Sequence, residues 1–104
     1  MSDTTPPRLR HIGTLTLRPD TGADARTAIR DGLDALVGQV PGLLAMRVHE
    51  DAGLRDGTAD LVFLADFGDE DAWRAYADHP AHLALAASVI RPVLAGAVFV
   101  QARL

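Results

Sequence analysis

An α+β domain with element order β-α-β-β-α-β is what this 104-residue sequence predicts. Three observations carry that expectation. Apolar residues alternate with a period of two in four stretches, over 9–17, 43–50, 60–67 and 96–104. Between the first and second of these, and again between the third and fourth, apolar residues recur every three to four positions. Proline and glycine punctuate the joins between the two kinds of segment.

The first strand, 9–17, places His11, Gly13, Leu15 and Leu17 on one face and Ile12, Thr14 and Thr16 on the other. Pro19-Asp20-Thr21-Gly22 breaks it. From Ala23 the period changes: Ile29, Leu33, Leu36, Val37 and Val40 form an apolar stripe opposite Asp24, Arg26, Arg30, Asp31 and Asp34. Pro41-Gly42 closes this helix. Strand two, 43–50, alternates Leu44, Met46 and Val48 with Ala45, Arg47 and His49, and a polar loop with Gly53 and Gly57 follows. In strand three, 60–67, Leu61, Phe63, Ala65 and Phe67 face one way and Val62, Leu64 and Asp66 the other. Asp69-Glu70-Asp71 supplies the negative charge that a helix N-terminus favours. The helix carrying Trp73 and Tyr76 is expected to stop at His79, because the residue before a proline is steered out of the α region. Pro80 then opens a second segment with His82, Leu83, Leu85, Ala86 and Ile90. The last strand, 96–104, sets Val98 and Val100 against Ala97, Phe99 and Gln101.

Two helices folded onto one face of a four-stranded antiparallel sheet make a ferredoxin-like unit. The uncovered face keeps Ile12, Val62, Leu64, Val98 and Val100, an apolar patch a small monomer does not leave in water. A homodimer paired through that face is therefore expected.

Composition narrows the function. The chain is 48% hydrophobic and 23% charged, as in globular domains. Its basic residues are ten arginines without a lysine, set against 14 acids for a net charge of −4. No basic run exists to neutralise phosphates, which argues against nucleic acid and a membrane surface as partners. The absence of lysine excludes Schiff-base chemistry, and the absence of cysteine excludes thiolate nucleophiles, disulfides and zinc–cysteine sites. Residues 1–8 begin polar and lack the apolar core of a signal peptide, so a flexible tail ahead of a 9–104 domain and a cytoplasmic location are expected. Four histidines, His11, His49, His79 and His82, are left for chemistry near neutral pH.

The segment from Phe67 to His82 carries a specific pattern: a strand ending in Phe, an acidic helix start, then Tyr76, two residues, His79-Pro80, one residue, His82. Together with Arg10-His11-Ile12 and Val40-Pro41-Gly42-Leu43, it resembles the stress-responsive A/B barrel domain family, whose subunits pair into dimeric α+β barrels. The resemblance spans roughly 9–104. It implies a barrel with helices outside and a small cavity between sheet and helices in each subunit. The family includes plant stress-associated proteins and olivetolic acid cyclase, a cofactor-free polyketide cyclase. Related barrels include cofactor-independent monooxygenases.

Carried over position by position, the cyclase's catalytic groups become Tyr76, His82 and His11. An intramolecular aldol closure needs a base for a proton beside a carbonyl, and a neutral imidazole suits that work. His82 would be the base, Tyr76 a donor to the developing oxyanion or a group that holds the imidazole, and His11 a substrate-fixing or tuning group. Ile29, Leu33, Leu61 and Phe63 take the inward positions, with His79 beside them, and suit a small apolar or polyketide-like ligand. No cofactor or metal is expected: the proline break spoils helical ligand spacing for His79 and His82 with His11. Two other readings use the same residues. A tyrosine on an amphipathic helix and a histidine before proline serve equally as core residue and cap, in a non-catalytic ligand-binding barrel. A monooxygenase acting on a phenol is the third. Trp73 reads as packing, His49 and Arg47 as a solvated strand end or dimer rim, and the Gly53–Gly57 loop lacks phosphate-binding spacing.

Overall fold

The computed structural model describes residues 5–104. Of the expected tail, residues 1–4 lie outside the described residues. Residues 5–8 are exposed, and Arg8 is already tied to the sheet end, its N–H donating to the Phe67 carbonyl at 2.9 Å. The elements are β1 (Leu9–Leu17), α1 (Ala23–Ala35), β2 (Leu43–Glu50), β3 (Leu61–Phe67), α2 (Glu70–Asp78), α3 (Pro80–Leu85) and β4 (Leu94–Arg103). The strands form one antiparallel sheet in the order β2-β3-β1-β4. This is the ferredoxin-like α+β plan, and β1 and β3 at its centre carry the site.

One face of the sheet is sealed by the helices. Leu9, Leu15 and Leu17 of β1 and Leu61, Ala65 and Phe67 of β3 are buried there, against Ile29 and Leu33 of α1 and Tyr76 of α2. Burying each aliphatic side chain of this kind contributes about 1.5–3 kcal/mol before entropy is counted. The stripe that predicts α1 is the stripe that is buried, except that Val37 is 37% exposed because the last turn tightens to a 3-10 turn over Leu36–Gly38.

Three local features depart from the alternation rule. In β2 a register shift between Leu43 and Ala45 inserts an extra residue. Leu43 then shares the core side with Met46 and Val48, while Leu44, expected inward, is 39% exposed. The final strand starts at Leu94, two residues before Gly96, and its own irregularity lies opposite Thr16 and Leu17. Beyond α3 the chain runs through a π-helical turn, Ala86–Ile90, and a 3-10 turn, Arg91–Val93. Within α3 itself, Leu83 points away from the core, 51% exposed.

Two glycines are required by close approach. At Gly13 an added Cβ would fall 2.2 Å from Phe63 Cε2, so the Phe63 ring lies directly on the β1 backbone. Gly42 has φ +84 and backs onto Ala72 of α2, where a Cβ would fall 2.5 Å from the Ala72 Cβ. That contact locks the Pro-Gly turn under the helix that carries Tyr76.

The opposite face is laid out in rows. Asp66, Arg10 and Ala102 stand side by side, then Leu64, Ile12 and Val100, then Val62, Thr14 and Val98. Arg10 grips Asp66 with two hydrogen bonds of 2.6 and 2.9 Å. Val98 and Val100 are 72% and 54% exposed. The apolar patch read from the sequence is thus present on the uncovered face. His49, paired with Val62, sits exposed at its rim.

Candidate functional site

The site begins with how α2 and α3 are started. Asp69 caps α2, its Oδ1 accepting the Ala72 N–H at 2.8 Å. Fixing that first turn places Trp73 and Tyr76, three residues apart, on one helix face over the sheet. Pro80 forces His79 into an extended conformation (φ −67, ψ 134), ending α2. His79 then caps α3, its Nδ1 accepting the Ala81 N–H at 3.1 Å. The break brings His82 back toward α2, so that its ring centroid lies 4.3 Å from that of Tyr76. The Nδ1 of His82 is 3.2 Å from the Ala77 carbonyl oxygen. A carbonyl can only accept, so Nδ1 carries the proton and Nε2 is the basic nitrogen.

His11 comes from β1, on the helix-covered side beside Leu15. It is the buried polar residue of the core, 9% exposed, and is ringed by aromatics. Its centroid lies 5.3 Å from Phe63, 6.0 Å from Tyr76 and 6.1 Å from Trp73. Phe99 of β4 stacks on it at 5.6 Å with 16° between planes. Burial, and secondarily the neighbouring His82, push its pKa down to about 4. His11 is therefore a neutral imidazole at physiological pH. Gln101 Nε2 lies 2.9 Å from its Nδ1. With the amide donating there, the His11 proton sits on Nε2. Burial pushes the Tyr76 phenol up to about 12, so it too stays protonated and available as a donor.

These side chains wall one cavity of about 450 Å³ between the helices and the sheet. His11, Tyr76 and His82 line it together, with Leu33 and Phe63 from the expected apolar set. Ile29 and Leu61 do not: both are fully packed in the core beneath it, at 0% and 2% exposure. His79 stays outside as the α3 cap. The walls also include Trp73, Phe99, Gln101, Leu94 and, beyond α3, Ala86, Ile90 and Arg91. Trp73 sits three residues before Tyr76, a spacing visible in the sequence. The β4 residues have no such signal, because their place beside β1 depends on the register of two strands far apart in the chain. Among the described residues no group of three His, Cys, Asp or Glu side chains is placed to hold a metal ion. No helix among them is long and apolar enough to cross a membrane.

The cavity is largely apolar, and a few polar groups converge on it between the helices and the sheet of the ferredoxin-like unit. Comparison with known proteins fits that architecture. The stress responsive A/B barrel domain matches residues 9–102. A dimeric ferredoxin-like protein of unknown function from Thermobifida fusca is 35% identical, with a TM-score of 0.82, covering 92% of this chain and 90% of that one. Another of the same description, from Jannaschia, is 25% identical with a TM-score of 0.72, covering 92% and 98%. A hydroxynitrile lyase from Passiflora edulis shares the fold at 16% identity, TM-score 0.82, with 95% of each chain covered. No curated protein matches the chain. With the domain matched from the first strand into the last, this chain belongs to the stress-responsive A/B barrel domain family.

Proposed function

We propose that this protein is a homodimer whose subunits each hold a small apolar carbonyl compound and catalyse cofactor-free proton transfer on it, of the kind an aldol cyclisation uses. The observation that carries the reading is the protonation pattern of the three converging groups. His82, its Nδ1 proton engaged by Ala77, has Nε2 to accept a proton from the carbon beside a carbonyl. Tyr76, held protonated, donates to the enolate oxygen that develops. His11, neutral with Nε2–H, is a second donor that fixes the carbonyl without competing as a base. In the aldol case the enolate carbon then bonds to a second carbonyl of the same molecule. The oxygen of that carbonyl takes the proton back from His82, so no external reagent is consumed. The apolar lining supports a hydrophobic substrate body and strengthens each polar contact. That a hydroxynitrile lyase shares the fold supports a scaffold compatible with lyase chemistry. The dimeric relatives, and the apolar rows around Ile12 and Val100, support pairing through the open sheet face.

The test is hydrogen–deuterium exchange at the carbon beside the carbonyl of 2-tetralone in D2O, followed by proton NMR. The wild type should exceed the buffer rate. His82→Ala should lose at least tenfold of the catalysed rate and Tyr76→Phe a smaller part, both with unchanged circular dichroism. Equal rates in wild type and His82→Ala would remove the base assignment. A wild type no faster than buffer would remove the catalytic reading and favour the ligand-binding barrel.

A further inference from the structure

The cavity wall contains one charged residue that pairs with no carboxylate among the described residues. Arg91 opens the 3-10 turn that leads into β4, exposed at its own position and lining the same cavity as His11, Tyr76 and His82. It is the only permanently charged side chain in that lining. Of the other nine arginines, five pair with carboxylates: Arg10 with Asp66, Arg26 with Asp60, Arg30 with Glu50, and both Arg74 and Arg103 with Glu70. The remaining four, Arg8, Arg18, Arg47 and Arg55, lie away from the cavity wall. Among the described residues no carboxylate lies within 4.0 Å of the Arg91 side-chain nitrogens. The contrast with Arg74 and Arg103 is instructive. They flank a smaller cleft of about 200 Å³ that adjoins the cavity across Trp73 and Gln101, but Glu70 stands in that cleft and occupies both. An anion arriving there would meet a carboxylate, whereas an anion arriving at Arg91 would meet an uncompensated guanidinium beside an apolar chamber.

We infer that Arg91 is a specificity residue that selects substrates carrying a carboxylate, whose apolar body fills the cavity while the acid group pairs with the guanidinium. The inference rests on the proposed pocket and adds the substrate class: hydrophobic carboxylic acids, among them keto acids. The planar fork of arginine matches the two carboxylate oxygens, which a point charge would not orient. Neutral His11 and protonated Tyr76 supply no competing charge inside the chamber. Anchoring the acid at the Arg91 wall would hold the rest of the molecule along His11, Tyr76 and His82.

Trp73, the single tryptophan of the chain and part of the wall, reports occupancy by its fluorescence. Titration of the full-length protein at pH 7.5 with octanoate and with octan-1-ol separates charge recognition from apolar filling. The wild type should bind octanoate at least tenfold more tightly than octanol, with added salt weakening only octanoate. Arg91→Gln should bring octanoate to the affinity of octanol. Ala86→Phe, which places a ring in the chamber, should abolish both. Equal affinity for acid and alcohol in the wild type, or a preference that survives Arg91→Gln, would overturn the inference and leave the apolar pocket standing. No response to either compound, or octanoate binding that survives Ala86→Phe, would overturn the pocket as well.

Discussion

Lowering the pH from 7.5 to 4.5 should cost this fold about 2 kcal/mol through His11 alone. The ordinary histidine value of 6.5 falls to about 4 in the folded protein, because the ring is buried among aromatics and faces His82. The folded value is depressed, so between these pH values the unfolded chain binds a proton that the native one refuses. The His11 contribution is therefore intact above 6.5 and is lost as the pH falls toward 4. At ~1.36 kcal/mol per pH unit, the full separation corresponds to ~3.4 kcal/mol. Stopping at pH 4.5, and allowing for the residual solvent contact of the ring, leaves about 2 kcal/mol, which in a domain of this size moves Tm by roughly 8–16 °C. The comparison needed is wild type against His11→Asn, which does not titrate and keeps a carbonyl oxygen near the position where Nδ1 meets Gln101. Urea unfolding at both pH values should be followed by far-UV circular dichroism, since Trp73 lies close enough to His11 for its fluorescence to answer to the charge. Other groups titrate equally in both proteins and cancel in the difference. If the two proteins lose the same stability between pH 7.5 and 4.5, the buried neutral imidazole is refuted.

Two further substitutions test the packing and the assembly. Gly13→Ala should destabilise the protein by about 1–3 kcal/mol in urea melts, because the new methyl meets the Phe63 ring at 2.2 Å and Phe99 at 2.9 Å and must displace them. A wild-type melt for Gly13→Ala would mean the ring does not rest on β1. Val98→Asp with Val100→Asp, on the uncovered sheet face, should leave a folded monomer in sedimentation while the wild type runs as a dimer. A wild type that sediments at the mass of one 11.1 kDa chain would refute pairing through that face.

Much of this arrangement is legible in the chain because its signals are local. The stripe Ile29, Leu33 and Leu36 predicts α1, and the acidic start with His79-Pro80 predicts both the cap and the break that turns His82 back to Tyr76. Parity along β1 places His11 on the covered side. What escapes is whatever depends on a shift of period or on distant registers. One extra residue at Leu43–Ala45 exchanges Leu44 for Leu43 in the core, and alternation cannot foresee a bulge. The π-helical turn at Ala86–Ile90 shifts the helical period after Leu85, and Ile90 and Arg91 beyond it line the cavity. Phe99 and Gln101 reach His11 only through the pairing of β4 with β1. Inward position also does not mean exposure to a ligand: Ile29 and Leu61 face inward and are sealed, since depth beneath the helices is a property of the packed structure.

The proposed proton transfer depends on which nitrogen of His82 is free to take a proton. Long-range proton–nitrogen correlation NMR on 15N-labelled protein at pH 8 reads this directly. Free histidine prefers its proton on Nε2, so a departure from that preference reports the bond to Ala77. The predicted spectrum has His82 protonated on Nδ1 with a bare Nε2, and His11 the reverse, protonated on Nε2 with Nδ1 accepting from Gln101. A His82 protonated on Nε2 would leave no base facing the chemistry proposed here and would contradict the central claim.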